Sequence, residues 1–278
     1  MQNTFILGVG AQRTGSTWLH SQLRKNPQIH TGLVKEHHIF DVIFTPYFSK
    51  YEQSLRTMVA TATENDPSYR KREKLLSFID DPEKYFNYFE GLCLKNKAIE
   101  AVADITPSYS MLDHKAYEFI QQGLEKRGFK VKVVFMMRDP IERIWSMIHQ
   151  KGRQDSEDEN RQIKFKAFTN MHSTMRTRYD RTIIELEKVF PREDIFYGFY
   201  ETFFNHKAYE KLGHFLNIDL AAADFTCVKN KSHLKKPVTT TLAIEAANYY
   251  AATYQYIGAR FGDKMKSIWP GYQYLPNS

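Results

Sequence analysis

Short apolar runs and helical periodicities alternate along this chain of 278 residues. Four runs read as buried strands: Thr4–Val9, Ala98–Ala103, Lys130–Met137 and Ile195–Phe199. A turn and then a pattern of helical period follow each of them. Leu19 and Leu23, after Trp18, mark a first helix that stops at Asn26-Pro27, because proline disfavours the helical region for the residue before it. Ile141, Ile144, Trp145 and Ile148 mark another, and Tyr209, Leu212, Phe215 and Leu216 a third. Strands alternating with helices predict an α/β fold of three layers, a central parallel sheet flanked by helices on both faces. Roughly residues 41–97 interrupt the alternation with an insertion that is helical in flavour and dense in aromatics (Tyr85, Phe86, Tyr88, Phe89). Helical periodicity returns over Thr240–Phe261 and leads to Trp269-Pro270. Asp155–Asn160 reads as a solvated loop, and no stretch reads as a linker, so residues 1–278 are expected to form a single domain.

Charge narrows the partners. A net charge of +7 and a pI near 9.1 favour something polyanionic: nucleic acid, an anionic polysaccharide or a multiply phosphorylated cofactor. The surplus is scattered, in Arg70-Lys71-Arg72 and between Lys126 and Lys132, with no long basic tail. Two cysteines, Cys93 and Cys227, lack metal-ligand spacing and suit free thiols in a reducing compartment. No run approaches the ~20 apolar residues of a membrane span, and Met1 onwards lacks the order of a secretory signal. A cytoplasmic protein without a membrane span is therefore expected.

Two stretches carry candidate chemistry. "GVGAQRTGSTWL" (Gly8–Leu19) follows the first strand and opens the first helix. Gly10 and Gly15 have the spacing of a phosphate loop, in which backbone N–H groups and the helix N-terminus hold an anion, so the core is expected to be P-loop-like. Ser16 stands where that motif has lysine, and Thr17 takes the hydroxyl position. The cation has moved into the loop, to Arg13. In "RDPIERIWS" (Arg138–Ser146), Asp139 reads as an N-cap, Pro140 as the first helical residue and Glu142 as the reciprocal capping partner. Arg138 then sits at the carboxyl end of a strand, where open α/β sheets bind ligands, and Ser146 faces the same crevice two turns on.

Together, "QRTGSTWL" and "MMRDPIERIWSMIHQ" resemble the two cofactor motifs of the sulfotransferases that use 3′-phosphoadenosine 5′-phosphosulfate (PAPS). "KEHHIFD" (Lys35–Asp41) is similar to the acid-containing segment after the first helix in carbohydrate and bacterial members, and "DITPSYSML" (Asp104–Leu112) to their Thr-Pro-x-Tyr segment. "LEKVFPREDIFYGFYETFF" (Leu186–Phe204) resembles their strand ending in Tyr-Glu, and "KNKSHLKKP" (Lys229–Pro237) the late basic loop that closes over the cofactor. The resemblance implies that Arg13, Thr14, Gly15, Ser16 and Thr17 hold the 5′-phosphosulfate. It places Trp18 where some members stack adenine, although core packing suits it equally. It assigns Arg138 and Ser146 to the 3′-phosphate, and Lys231, Ser232 and Lys235 to the closing loop. Three departures stand out. Arg13 replaces the usual lysine, keeping the charge and adding a planar fork. Ile105 stands where several polysaccharide-modifying members carry lysine, and Cys227 lacks the disulfide partner of Golgi members.

The implied reaction moves a sulfuryl group from PAPS to an acceptor hydroxyl or amine, of a carbohydrate or small molecule, and leaves 3′,5′-bisphosphoadenosine. Arg13 and the loop amides would stabilise the leaving phosphate. The acceptor proton calls for a base, with Glu36 first choice, His37 second and His38 third. The family needs no metal, and none is expected. The aromatic insertion is a candidate acceptor-binding surface, although its tyrosines equally suit a core. Three rivals remain: a P-loop kinase using ATP and Mg²⁺ held by Asp139, a nucleic-acid-binding module, and a noncatalytic nucleotide-binding relative. The basic clusters lie mostly beside the cofactor motifs, so no nucleic-acid partner is expected.

Overall fold

Among the described residues, five strands, all parallel, make one sheet in the order β2-β3-β1-β4-β5. They are β1 (Thr4–Gly10), β2 (Ile29–His30), β3 (Ala101–Ile105), β4 (Lys130–Met137) and β5 (Ile195–Phe199). The structure, a computed structural model, describes residues 2–62, 66–150, 161–220, 222–226 and 237–276.

Strand alternation divides the core into two layers. Phe5, Leu7 and Val9 of β1 join Val133, Phe135 and Met137 of β4 on one face. Ile6, Val134 and Met136 point the other way, with Ala101, Ala103 and Ile105 of β3. The helices Ser16–Leu23 and His206–Leu216 cover this second face through Leu19, Leu23, Leu212 and Leu216. The insertion and the C-terminal helices cover the first. The expected three-layer α/β architecture is therefore present.

One predicted strand shifts and one strand was not predicted. β3 begins at Ala101 rather than Ala98, because Asn96 folds the preceding residues into a turn: its Oδ1 accepts from the Ala98 N–H (3.0 Å) and its carbonyl from the Ile99 N–H (3.1 Å). β2 has two residues, too few for any periodicity to announce it. The insertion is helical, with helices Phe40–Phe44, Ser49–Thr61, Tyr69–Asp80 and Pro82–Lys95. Asp81 caps the last by accepting from the Glu83 N–H, with Pro82 at its first position. Tyr85, Phe86 and Phe89 are buried, and Tyr85 and Phe89 pack on Phe5. These aromatics form core. Phe48 and Tyr51, at the start of the insertion, pack on the His38 ring instead.

The chain leaves β1 toward β2 and leaves β4 toward β5, so the connections diverge between the carboxyl ends of β1 and β4. That divergence opens the crevice where α/β sheets of this kind bind ligands. Among the described residues no helix is long and apolar enough to cross a membrane.

Candidate functional site

The loop after β1 turns sharply into its helix. Gly15 takes a left-handed φ of 86° at the N-cap, and a Cβ there would lie 2.4 Å from the Phe204 ring, so glycine is required. Thr14 is buried and its hydroxyl donates to the Ala11 carbonyl at 2.6 Å, which leaves its backbone amide as its means of holding an anion. Ser16 and Thr17 are half-buried at the first turn of the helix, where backbone N–H groups have no intrahelical acceptor. Arg13 reaches away from the loop. Its Nε and Nη2 both donate to Ser146 Oγ, at 3.1 and 3.0 Å, so the two sequence motifs meet directly across the crevice.

The second corner is built around Asp139. Its carboxylate accepts from the N–H groups of Ile141 (2.9 Å) and Glu142 (3.2 Å), which confirms the N-cap of helix Pro140–Gln150. The same carboxylate accepts from Tyr254 Oη (3.0 Å) and the Gly271 N–H (2.6 Å). Glu142 is not the reciprocal capping partner. It pairs instead with Arg138 (3.2 Å), and the Asp139 N–H donates to Glu201 Oε1 at 2.9 Å. Glu201 also accepts from Trp269 Nε1 at 3.0 Å, and Tyr179 Oη donates to the Arg138 carbonyl at 2.8 Å. Sequence reasoning assigned no role to Glu201, Tyr179 or Trp269. The Tyr-Glu pair at the end of β5 was the available signal.

These bonds hold Arg138 at the end of β4, 5% exposed, with its guanidinium 4.4 Å over the Tyr200 ring. Its Nη1 reaches the Arg13 carbonyl (3.4 Å), while its Nε is buried with no hydrogen-bond partner. Burial first, and then the charge of Arg138, lowers the proton affinity of Arg13. Cations crowded in this way, one with an unfilled buried donor, fit a multiply charged anion between the two corners.

A third group faces the loop from Lys35–Asp41. Glu36 is paired through one oxygen with Lys35 and through the other with His38 Nε2 at 3.4 Å. Burial alone would raise its pKa, but the His38 hydrogen bond and the Lys35 charge outweigh it and hold Glu36 at about 2. His38 Nδ1 lies 2.7 Å from Asp41 Oδ2. Burial would lower its pKa, yet Asp41 and Glu36 raise it to about 9, so His38 is an imidazolium between two carboxylates. Ser108 Oγ donates to Asp41 from the turn after β3.

His37 is placed differently from its expected catalytic role. It is fully buried, its Nε2 accepts from the Leu33 N–H (3.3 Å), and its Nδ1 lies 3.1 Å from Asp104. With both nitrogens facing the interior, it cannot reach an acceptor proton. Asp104, also buried, accepts from Tyr85 (2.8 Å), Tyr109 (3.1 Å) and Thr106 (2.6 Å), and Thr106 Oγ1 in turn accepts from the His37 N–H at 2.9 Å. This buried network pins the Glu36 segment to the end of β3. Trp18 also departs from expectation. It is 5% exposed, donates to the Asp224 carbonyl at 2.8 Å and stacks on Phe225 at 5.3 Å, so the face expected to meet adenine is covered by protein. Lys231, Ser232 and Lys235 lie outside the described residues, as do Cys227 and the loop 155–160. Among the described residues no cluster of His, Cys, Asp and Glu could hold a metal ion.

A family profile described as the sulfotransferase domain matches residues 3–243. No curated protein sequence matches the chain. The structure is similar to the crystal structure of a sulfotransferase from Alicyclobacillus acidocaldarius, with a TM-score of 0.61 at 16% identity over 93% of this chain and 95% of that one. It is also similar to the sulfotransferase domain of the olefin synthase of Synechococcus PCC 7002, with a TM-score of 0.47 at 17% identity over 85% and 82% of the two chains. At 16% identity the likeness to the Alicyclobacillus structure speaks for the fold, and the profile, which spans the loop, the Glu36 segment and the Arg138 corner, speaks for the family. The chain belongs to the sulfotransferase domain family.

Proposed function

We propose that the chain transfers the sulfuryl group of PAPS to an acceptor hydroxyl or amine, of a carbohydrate or small molecule. The observation that supports this best is the junction of the two basic corners, with Arg13 on Ser146 and a buried, unfilled donor on Arg138. The loop amides, Ser16, Thr17 and Arg13 would bind the phosphosulfate end, and Arg138 and Ser146 the 3′-phosphate. Adenine would stack on Trp18 only with Phe225 displaced, and Lys231, Ser232 and Lys235 would close over the nucleotide.

PAPS supplies an activated sulfuryl group. In the transfer the bond between sulfur and the bridging oxygen breaks as the acceptor oxygen bonds to sulfur, and the electron pair leaves on the phosphate. Arg13, whose fork lies on Ser146 across the crevice, would turn back to the loop and neutralise that charge as it develops. Glu36 would take the acceptor proton. A carboxylate held at about 2 is a weak base. A loose transition state moves the proton late, when the acceptor has become acidic, and a weak base in the right place then suffices. His38 would orient that carboxylate, and His37 would support the segment from beneath.

The kinase alternative is disfavoured by one observation. Asp139, its candidate Mg²⁺ ligand, is buried with both oxygens engaged by four protein donors. Titration calorimetry tests the two. We expect 3′,5′-bisphosphoadenosine to bind without metal, Arg138→Ala to weaken it at least tenfold, and Glu36→Gln to keep binding while cutting PAPS-dependent turnover about a hundredfold. Preference for ATP with Mg²⁺ would overturn the reading.

A further inference from the structure

The helix Met171–Thr177 brings another guanidinium to the Glu36 side of the loop. Arg176 Nη1 donates to Gln12 Oε1 at 3.1 Å, and its Cζ lies 5.8 Å from the centre of the Phe48 ring. Its Nε is buried without a hydrogen-bond partner, and among the described residues the side chain makes no ion pair. Burial first, then the charge of Arg143, lowers its pKa to about 10, against the pull of Asp41 and Glu36. At neutral pH it stays a cation.

No counterion for it exists in the described structure. The two carboxylates whose field it feels are already engaged, Asp41 by His38 and Ser108, Glu36 by Lys35 and His38. Arg143, behind it, is fully buried and spends Nε and Nη2 on Thr177 and Ser173, adding positive charge and no relief. A desolvated guanidinium without an anion costs free energy, and stacking on Phe48 offsets only part of that cost. Arg176, Lys35 and His38 together outnumber Glu36 and Asp41, the carboxylates beside them. The buried, unfilled Nε of Arg176 is suited to an incoming anion.

We propose that Arg176 recognises a fixed negative charge on the acceptor, so that the chain sulfates hydroxyl compounds already bearing a carboxylate, phosphate or sulfate group. This rests on the PAPS-dependent reading and adds the acceptor class to it. Arg13 and Arg138 are committed to the donor, whereas Arg176 projects between Gln12 and Phe48, beside Glu36. Phe48 and Tyr51, which pack on the His38 ring at 5.4 and 5.0 Å, would flank the body of the acceptor. The recognised charge stays on the acceptor throughout and takes no part in bond making.

The test pairs acceptors that differ in charge: 4-hydroxybenzoate with its methyl ester, and glucose 6-phosphate with glucose. Affinities are measured with 3′,5′-bisphosphoadenosine present, and kcat and KM with labelled PAPS. We expect wild type to favour the anionic member of at least one pair by about tenfold, and the pair that responds tells carboxylate from phosphate. Arg176→Gln should erase the preference by raising KM for the anionic acceptor, with the neutral acceptor and the KM for PAPS unchanged, and Arg176→Lys should restore part of it. Nucleotide binding by Arg176→Gln checks that the variant is folded. The proposal is overturned if neither anionic probe is favoured, if the preference survives Arg176→Gln, or if that substitution raises the KM for PAPS instead. Failure of the underlying reading looks different, since the bisphosphate itself would then not bind to wild type.

Discussion

Replacing His38 with Asn removes the cation that separates Glu36 from Asp41. In the folded chain His38 is held at about 9 against an ordinary value of 6.5. At about 1.4 kcal/mol for each tenfold change in proton affinity, the protonated ring contributes at most about 3 kcal/mol to folding. The sign follows from the direction of the shift. A raised pKa means that this stability is fully present below pH 6.5 and is lost as the pH rises through 9. Urea unfolding of wild type and His38→Asn at pH 6 and pH 10 measures it, because subtracting the variant removes lysine and tyrosine titrations common to both. The wild-type advantage should be about 3 kcal/mol larger at pH 6 than at pH 10. His38 has a left-handed φ of 55°, which Asn tolerates better, but that shifts both measurements equally. An advantage that is the same at both pH values would refute the reading of His38 as a trapped imidazolium.

Three further outcomes are expected. Gly15→Ala forces a Cβ against Phe204 at a φ of 86° and should cost about 1–3 kcal/mol, seen as a lower midpoint in thermal unfolding. Asp139→Ala strips the acceptor from four donors and should destabilise by about 3–5 kcal/mol in denaturant titrations, more than Asp139→Asn, which keeps one oxygen. Trp269→Phe keeps the ring packing but deletes the bond to Glu201, and should cost about 1–2 kcal/mol in the same assay.

The sheet was legible because burial on both faces leaves near-continuous apolar runs, and Phe5–Val9 and Val131–Met137 are such runs. The two glycines of the loop and the Asp139-Pro140 cap were legible because backbone conformation restricts residue type at those positions. What sequence did not show was the partner of each polar group. Glu142 has the spacing of a capping box, yet Arg138 lies within its reach, and Glu201, in the short helix after β5, takes the vacant N–H. His37 and His38 are adjacent and chemically alike, and one faces Asp104 in the core while the other faces the crevice. The left-handed turn at His38 separates them, and no local pattern announces it. Trp18 begins its helix beside the loop, but Phe225, two hundred residues away in the chain, decides what its face meets.

The family profile stops at residue 243, yet Tyr254, Trp269 and Gly271 all reach back to brace Asp139 and Glu201. Residues 251–274 and the Asp139 corner are therefore coupled, whichever is perturbed first. If the bisphosphate binds at this corner as proposed, its occupancy should slow amide hydrogen exchange across residues 251–274, and loosening Trp269 should weaken that binding in turn.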